Sequence, residues 1–178
     1  SWTLYGSNSE SQPGKVDDSW EVIDSKTDQS YTTDRFTDVH FDVDNSTTAY
    51  KYFKLEITKV RDNGSMTQIS EFKLDGLGYN DTEDKLLSYR SMDTWGDGSA
   101  SYLFDGNPDT KFGGGFTTEG RGSYVTFGPA SQEQISITGY SMLVANEGYY
   151  NRIPKSWTLY GCNDGNEPER NWEVIHTI

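Results

Sequence analysis

The stretch Ser1-Trp2-Thr3-Leu4-Tyr5-Gly6-Ser7-Asn8 is written a second time as Ser156-Trp157-Thr158-Leu159-Tyr160-Gly161-Cys162-Asn163, and each copy is followed by Trp-Glu-Val-Ile, at residues 20–23 and 172–175. Chance does not supply both halves of such a match. The offset of 155 residues is the length of a domain rather than of a solenoid repeat. Each copy reads as a hairpin. Trp157, Leu159 and Gly161 share one face of an alternating strand, Asn163-Asp164-Gly165 makes a polar turn, and a short strand follows through Trp172 and Val174.

Working outward, residues 50–60 set Phe53, Leu55 and Ile57 against Lys54, Glu56 and Thr58 in strict alternation, which predicts a half-buried strand. Further strands are expected over 68–74, 123–127 and 134–144, while 76–84 and 113–122 read as Gly-rich loops. No segment keeps a helical period for long. Strands at this spacing predict an all-β sandwich or jelly roll. Composition agrees: aromatics make up 14% with 12 Tyr and 5 Trp, and there are 18 Gly, so rings suit pleated surfaces and glycines suit tight turns.

The chain has 178 residues, enough for one full core and cramped for two sandwiches. Fifteen Lys and Arg against 28 Asp and Glu leave a net charge of -13, which sets nucleic acid and anionic membrane aside as partners because their phosphates are repelled. Cys162 is the sole cysteine, so no intrachain disulfide forms, and its plainest reading is a small half-buried side chain. There is no signal peptide or membrane span, and the first residue is not Met. We expect an excised piece of a longer exported protein.

Residues 154–165, followed by Trp172-Glu-Val-Ile175, resemble the central hairpin of the discoidin family, the coagulation-factor type C fold that is also similar to family 32 carbohydrate-binding modules. Tyr102-Leu-Phe-Asp-Gly-Asn-Pro-Asp-Thr-Lys-Phe112 resembles that family's early Asp-Gly motif. Tyr50-Lys-Tyr-Phe-Lys-Leu-Glu-Ile57 and Met66-Thr-Gln-Ile-Ser-Glu-Phe-Lys-Leu74 resemble its last strands. The resemblance implies a galactose-binding-domain-like jelly roll with its parts in altered order. Residues 1–76 look like a second half, 77–88 like a seam, and 89–178 like a first half whose hairpin 156–178 duplicates 1–23. Three arrangements fit: a piece of a tandem array, one circularly permuted sandwich, or domain exchange between chains. The permuted sandwich leads, because folds tolerate permutation where termini are neighbours. A surplus hairpin also offers an unpaired edge, so self-association is expected as a second possibility.

Between Tyr102 and Thr110, Asp105, Asn107, Asp109 and Thr110 surround a Gly and a Pro. Such a segment is a good turn in itself, and it also gathers carboxylate, amide, hydroxyl and carbonyl oxygens of the kind a hard cation takes. The family resemblance implies a structural Ca²⁺ here, held by the Tyr102 carbonyl, Asp105, the Asn107 carbonyl, Thr110 and Glu71, with Asp109 an outer neighbour.

Sugar binding needs apolar rings to stack on a pyranose and planar polar groups to clasp its hydroxyls. Asn146, Tyr149, Tyr150, Asn151 and Arg152 supply both just before the second hairpin, and by resemblance Trp95 and Phe116 gather at the same end. The structural alternative is that Arg152 forms a salt bridge or caps the approach to Pro154 and that the tyrosines cover the edge of the core. Family binders often carry His or Trp where this chain has Phe112, which weakens galactose in particular.

His40 and His176 stand far apart, and no triad or metalloprotease motif is present, so a non-catalytic domain is expected. Asn45, Asn63 and Asn80 match glycosylation acceptors, which matters only in a eukaryotic source. The leading expectation is an extracellular or cell-surface carbohydrate-binding module that takes a glycan. The rival is a structural or adhesion repeat that exchanges hairpins with protein partners. Lipid binding stands third, since no pair of apolar spikes flanked by basic residues is present.

Overall fold

The computed structural model describes residues 6–7, 24, 28–29, 36–43, 48–77, 79–80, 83–91, 99–115, 123–145 and 149–163. Nine strands carry these residues: β1 (Gly6–Ser7), β2 (Asp38–Asp42), β3 (Tyr52–Val60), β4 (Met66–Gly76), β5 (Leu86–Ser91), β6 (Phe112–Gly115), β7 (Ser123–Pro129), β8 (Ile137–Val144) and β9 (Pro154–Cys162). They form a five-stranded sheet in the order β1-β9-β3-β7-β5 and a four-stranded sheet in the order β2-β8-β4-β6. Neighbours are antiparallel except β1, which runs parallel to β9.

Side-chain alternation decides which faces meet. In β3, Phe53, Leu55 and Ile57 are fully buried, and opposite them Val125 and Phe127 of β7 and Trp157 and Leu159 of β9 point the same way. The four-stranded sheet answers with Phe41, Ile69, Phe72, Leu74, Tyr140 and Met142. Rings interlock between the sheets: Phe72 meets Phe127 edge-on at 5.3 Å, and Phe41 meets Trp157 edge-on at 5.1 Å. The molecule is thus an all-β sandwich, as its composition and alternation predict.

The largest buried side chain of this core has its polar atom paired. The Trp157 indole Nε1 donates to the Tyr140 hydroxyl at 3.0 Å, and that hydroxyl lies 3.2 Å from Asp24 Oδ2. In β4, the register shifts between Ile69 and Glu71. The extra residue changes the strand's parity, so Ile69, Phe72 and Leu74 all reach the core while Glu71 is set on the opposite side.

Several elements depart from the sequence expectations. Gly113–Gly115, read as loop, belong to β6, because backbone pairing with Met66, Thr67 and Gln68 needs no side chains. Crowding requires glycine at 114, where a Cβ would stand 1.7 Å from Ser123 Oγ. Gly114→Ala is therefore expected to lower unfolding free energy by about 1–3 kcal/mol, read as a shifted denaturant midpoint with an unchanged slope. The strand β5 begins at Leu86, within the stretch 77–88 read as a seam. Of the two hairpins, residues 1–5, 20–23 and 172–175 lie outside the described residues.

Strand directions gather the connections. The end of β3 meets the start of β9 at Val60 and Pro154, and the start of β7 and the end of β5 lie beside it through Ile57–Ser123 and Val125–Ser91 pairs. In the other sheet the start of β4 pairs with the end of β6 through Met66 and Gly115, and Ile69 pairs with Val144 at the end of β8. One end of the sandwich thus holds the last residues of β5, β6 and β8 and the first of β9.

Candidate functional site

At that end, the 3-10 turn Tyr150–Arg152 leads directly into β9. Its carbonyls are tied down: Arg152 N–H donates to the Tyr149 carbonyl at 3.0 Å, Arg61 N–H to the Ile153 carbonyl at 3.0 Å, and the Thr67 hydroxyl to the Arg152 carbonyl at 3.4 Å. The turn is therefore anchored on the first residues of β4 and on the segment after β3. Above this support Tyr149 and Tyr150 remain 52% and 47% exposed, while Asn151 is exposed and Arg152 half-buried. The Arg152 guanidinium lies over the Tyr149 ring at 3.9 Å from its centroid. Stacking holds a planar fork of donors against a half-exposed ring.

The structure brings together Tyr149, Tyr150, Asn151 and Arg152 of the expected rim. Trp95, Phe116 and Asn146 lie outside the described residues. Gly115, the residue before Phe116, pairs with Met66, next to the Thr67 that holds the Arg152 carbonyl. Phe112 is fully buried, at the opposite end of β6 from Gly115, and belongs to the core rather than to a rim.

The second cluster lies along β4. After the 3-10 turn Ala100–Phe104, Gly106 takes left-handed backbone (φ 73°) with open space at its Cβ position, so the demand there is conformational. The turn folds its oxygens inward. Asn107 N–H donates to Asp105 Oδ1 at 2.8 Å, and Asp109 N–H donates to Asn107 Oδ1 at 3.1 Å. The Thr110 hydroxyl stands 2.7 Å from Asp105 Oδ2 and 2.8 Å from the Asn107 carbonyl. One hydroxyl hydrogen serves two acceptors there, so the group is rich in oxygens and short of donors.

Glu71 comes up against this turn from β4. Its side chain is 7% exposed, and Oε1 is buried without a hydrogen-bond partner. Burial pushes its pKa up to about 7, and the neighbouring Asp105 carboxyl adds to that, against smaller opposing effects of the Gly106 amide and Lys73. Two carboxyls, a carbonyl and a hydroxyl thus crowd together with few hydrogens to share among them, and oxygens of these types are the ones hard cations take. Tyr102 stands within the 3-10 turn just ahead of Asp105. Among the described residues there is no group of three or more His, Cys, Asp or Glu side chains poised for a metal, so a cation here would depend on carbonyl and hydroxyl ligands as well. Glu71 lies five positions along the strand from Met66, ~17 Å at the usual rise, so this cluster is distinct from the rim.

In the sequence, only the family resemblance pairs Glu71 with the Asp105 turn. The residues alone give no sign of it, because the parity change in β4 that turns Glu71 off the core face is written in no local pattern. No family model matches the chain, and no curated protein matches it.

Proposed function

We propose that the chain is a non-catalytic carbohydrate-binding module of an extracellular or cell-surface protein, a discoidin-like jelly roll whose halves are joined in permuted order. The observation that carries this reading is the rim at the β8–β9 connection: two half-exposed tyrosines and a guanidinium stacked at 3.9 Å on one of them, on a turn pinned by backbone hydrogen bonds. Such a surface is prepared before ligand arrives, so little ordering cost opposes binding. One rim of this size binds weakly, and repetition along a longer protein raises avidity.

In the same reading a structural Ca²⁺ is held by Glu71, Asp105, the Asn107 carbonyl, Thr110 and the Tyr102 carbonyl. Its role is to tie β4 to the turn before β6. The permuted order is supported by the way strands interleave: β3 lies between β9 and β7, and β4 between β8 and β6, so residues 38–76 and 86–162 complete each other's sheets.

Affinity electrophoresis through gels holding soluble polysaccharides tests the rim. Wild-type protein is expected to be retarded by at least one glycan, and Tyr149→Ala and Arg152→Ala are each expected to weaken retention tenfold or more, about 1.4 kcal/mol. Both variants should melt within a few degrees of wild type, because the side chains are partly exposed. Retention unchanged in both variants would sink this rim.

A further inference from the structure

The second copy of the duplicated stretch occupies β9, antiparallel to β3, and its side chains are read closely in that slot. Trp157 and Leu159 are fully buried, with the Trp157 indole donating to Tyr140. On the other face the Tyr160 hydroxyl meets Glu56 at 2.5 Å, and the Lys54 ammonium lies over the Tyr160 ring at 4.0 Å. At the strand's end, Asn163 accepts from Lys51 N–H and donates to the Ala49 carbonyl, both at 2.8 Å. Every one of these groups has an identical counterpart in Trp2, Leu4, Tyr5 and Asn8, and the eight-residue copies differ only at Ser7 against Cys162. Gly6–Ser7 of the first copy meanwhile pairs with its own equivalents, Gly6 beside Gly161 and Ser7 beside Cys162, on the outer edge of β9.

We propose that the slot beside β3 accepts residues 1–8 of a second copy of this chain in place of residues 156–163, so that copies join by exchanging identical strands. The slot cannot distinguish the two by the contacts above, because the residues making them are the same. The exchange conserves the buried tryptophan, its indole hydrogen bond and the asparagine clamp, and it needs no new interface. A segment that donates one strand and a slot that accepts one lie on different parts of the chain, so the contact is head-to-tail and extends unless it closes into a ring.

Light scattering of the full chain over a wide concentration range tests this. Mass is expected to rise above 20.1 kDa with concentration, and Trp2→Ala, which deprives the incoming strand of its deepest side chain, is expected to restore the single-chain mass. A single-chain mass at all concentrations overturns the proposal, as does association that Trp2→Ala leaves intact. Register gives a second, independent reading. Tyr52 faces Cys162 across β3 and β9, so residue 7 of an exchanged strand faces Tyr52 of its acceptor. Chains carrying Tyr52→Cys and chains carrying Ser7→Cys, both with Cys162→Ser, are mixed and oxidised, and a disulfide-linked heterodimer is expected. A Tyr52→Cys chain that keeps Cys162 closes internally and shows that the geometry permits the bond. No heterodimer alongside that internal bond contradicts the exchange.

Discussion

Adding Ca²⁺ to metal-free protein at pH 8 is expected to raise its melting temperature by about 10 °C, and chelation to return it. A ligand present at a thousand times its dissociation constant stabilises a fold by about 4 kcal/mol, and for a domain of this length each kcal/mol moves the midpoint by about 2–4 °C. The pH dependence follows from Glu71, whose pKa in the fold is raised to about 7 from an ordinary 4.5. Between those values the metal-free folded chain holds a proton that the unfolded chain has released, so its stability falls as pH rises through that window. The penalty is absent below 4.5 and complete above 7, on the order of 3 kcal/mol for a shift of this size. Calcium removes it by neutralising the ionised carboxylate, so the calcium-dependent rise in melting temperature should grow from pH 5 to pH 8, and binding below about pH 7 should release a proton. Glu71→Gln is expected to melt at or above metal-free wild type at pH 8 and to ignore calcium. Calcium-blind melting of the wild type would remove the cation from the account.

Trp157→Ala is expected to cost about 3–5 kcal/mol, the range for deleting a large buried ring, and to leave the Tyr140 hydroxyl without its indole donor. Set against a typical total stability of about 5–15 kcal/mol, that is a large share, and equilibrium denaturation should show it directly. Trp157→Phe separates the two contributions. It restores much of the volume and the edge contact with Phe41 but not the hydrogen bond, so it should recover most of the loss. Equal losses in both variants would mean that packing around Trp157 contributes little and that the polar link carries the effect.

How far the sequence discloses this fold depends on where each strand sits. Central strands are legible because one face is wholly buried: Phe53, Leu55 and Ile57 of β3 all reach the core, although Lys54 on the other face is buried too, beneath the Tyr160 ring. Edge strands lack that contrast. In Asp38–Asp42 only Phe41 is buried, and in Leu86–Ser91 Leu86 is buried while Leu87 is half exposed, so neither writes a clean period. The all-glycine end of β6 is silent for a different reason: it carries no side chain to set a period, and Gly114 within it leaves room for Ser123.

The candidate sites divide along the same line. The rim is local: Tyr149 to Arg152 are consecutive, and a single turn brings them together. The cation cluster is not, because Glu71 and Asp105 are separated by 34 positions and meet only when β4, with its shifted register, lies against the turn ahead of β6. His40 shows the converse case, a residue weighed for chemistry that the fold sets between Asp42 at 3.2 Å and Asp75 at 3.4 Å, an exposed electrostatic contact on the outer strand of its sheet.

The most direct test of the account is a glycan array probed with the labelled full chain at pH 7.5 in calcium. Selective binding to a limited set of pyranosides, lost in Tyr149→Ala, is the result expected of a carbohydrate-binding module. Folded, calcium-loaded protein that binds no glycan above background would contradict it.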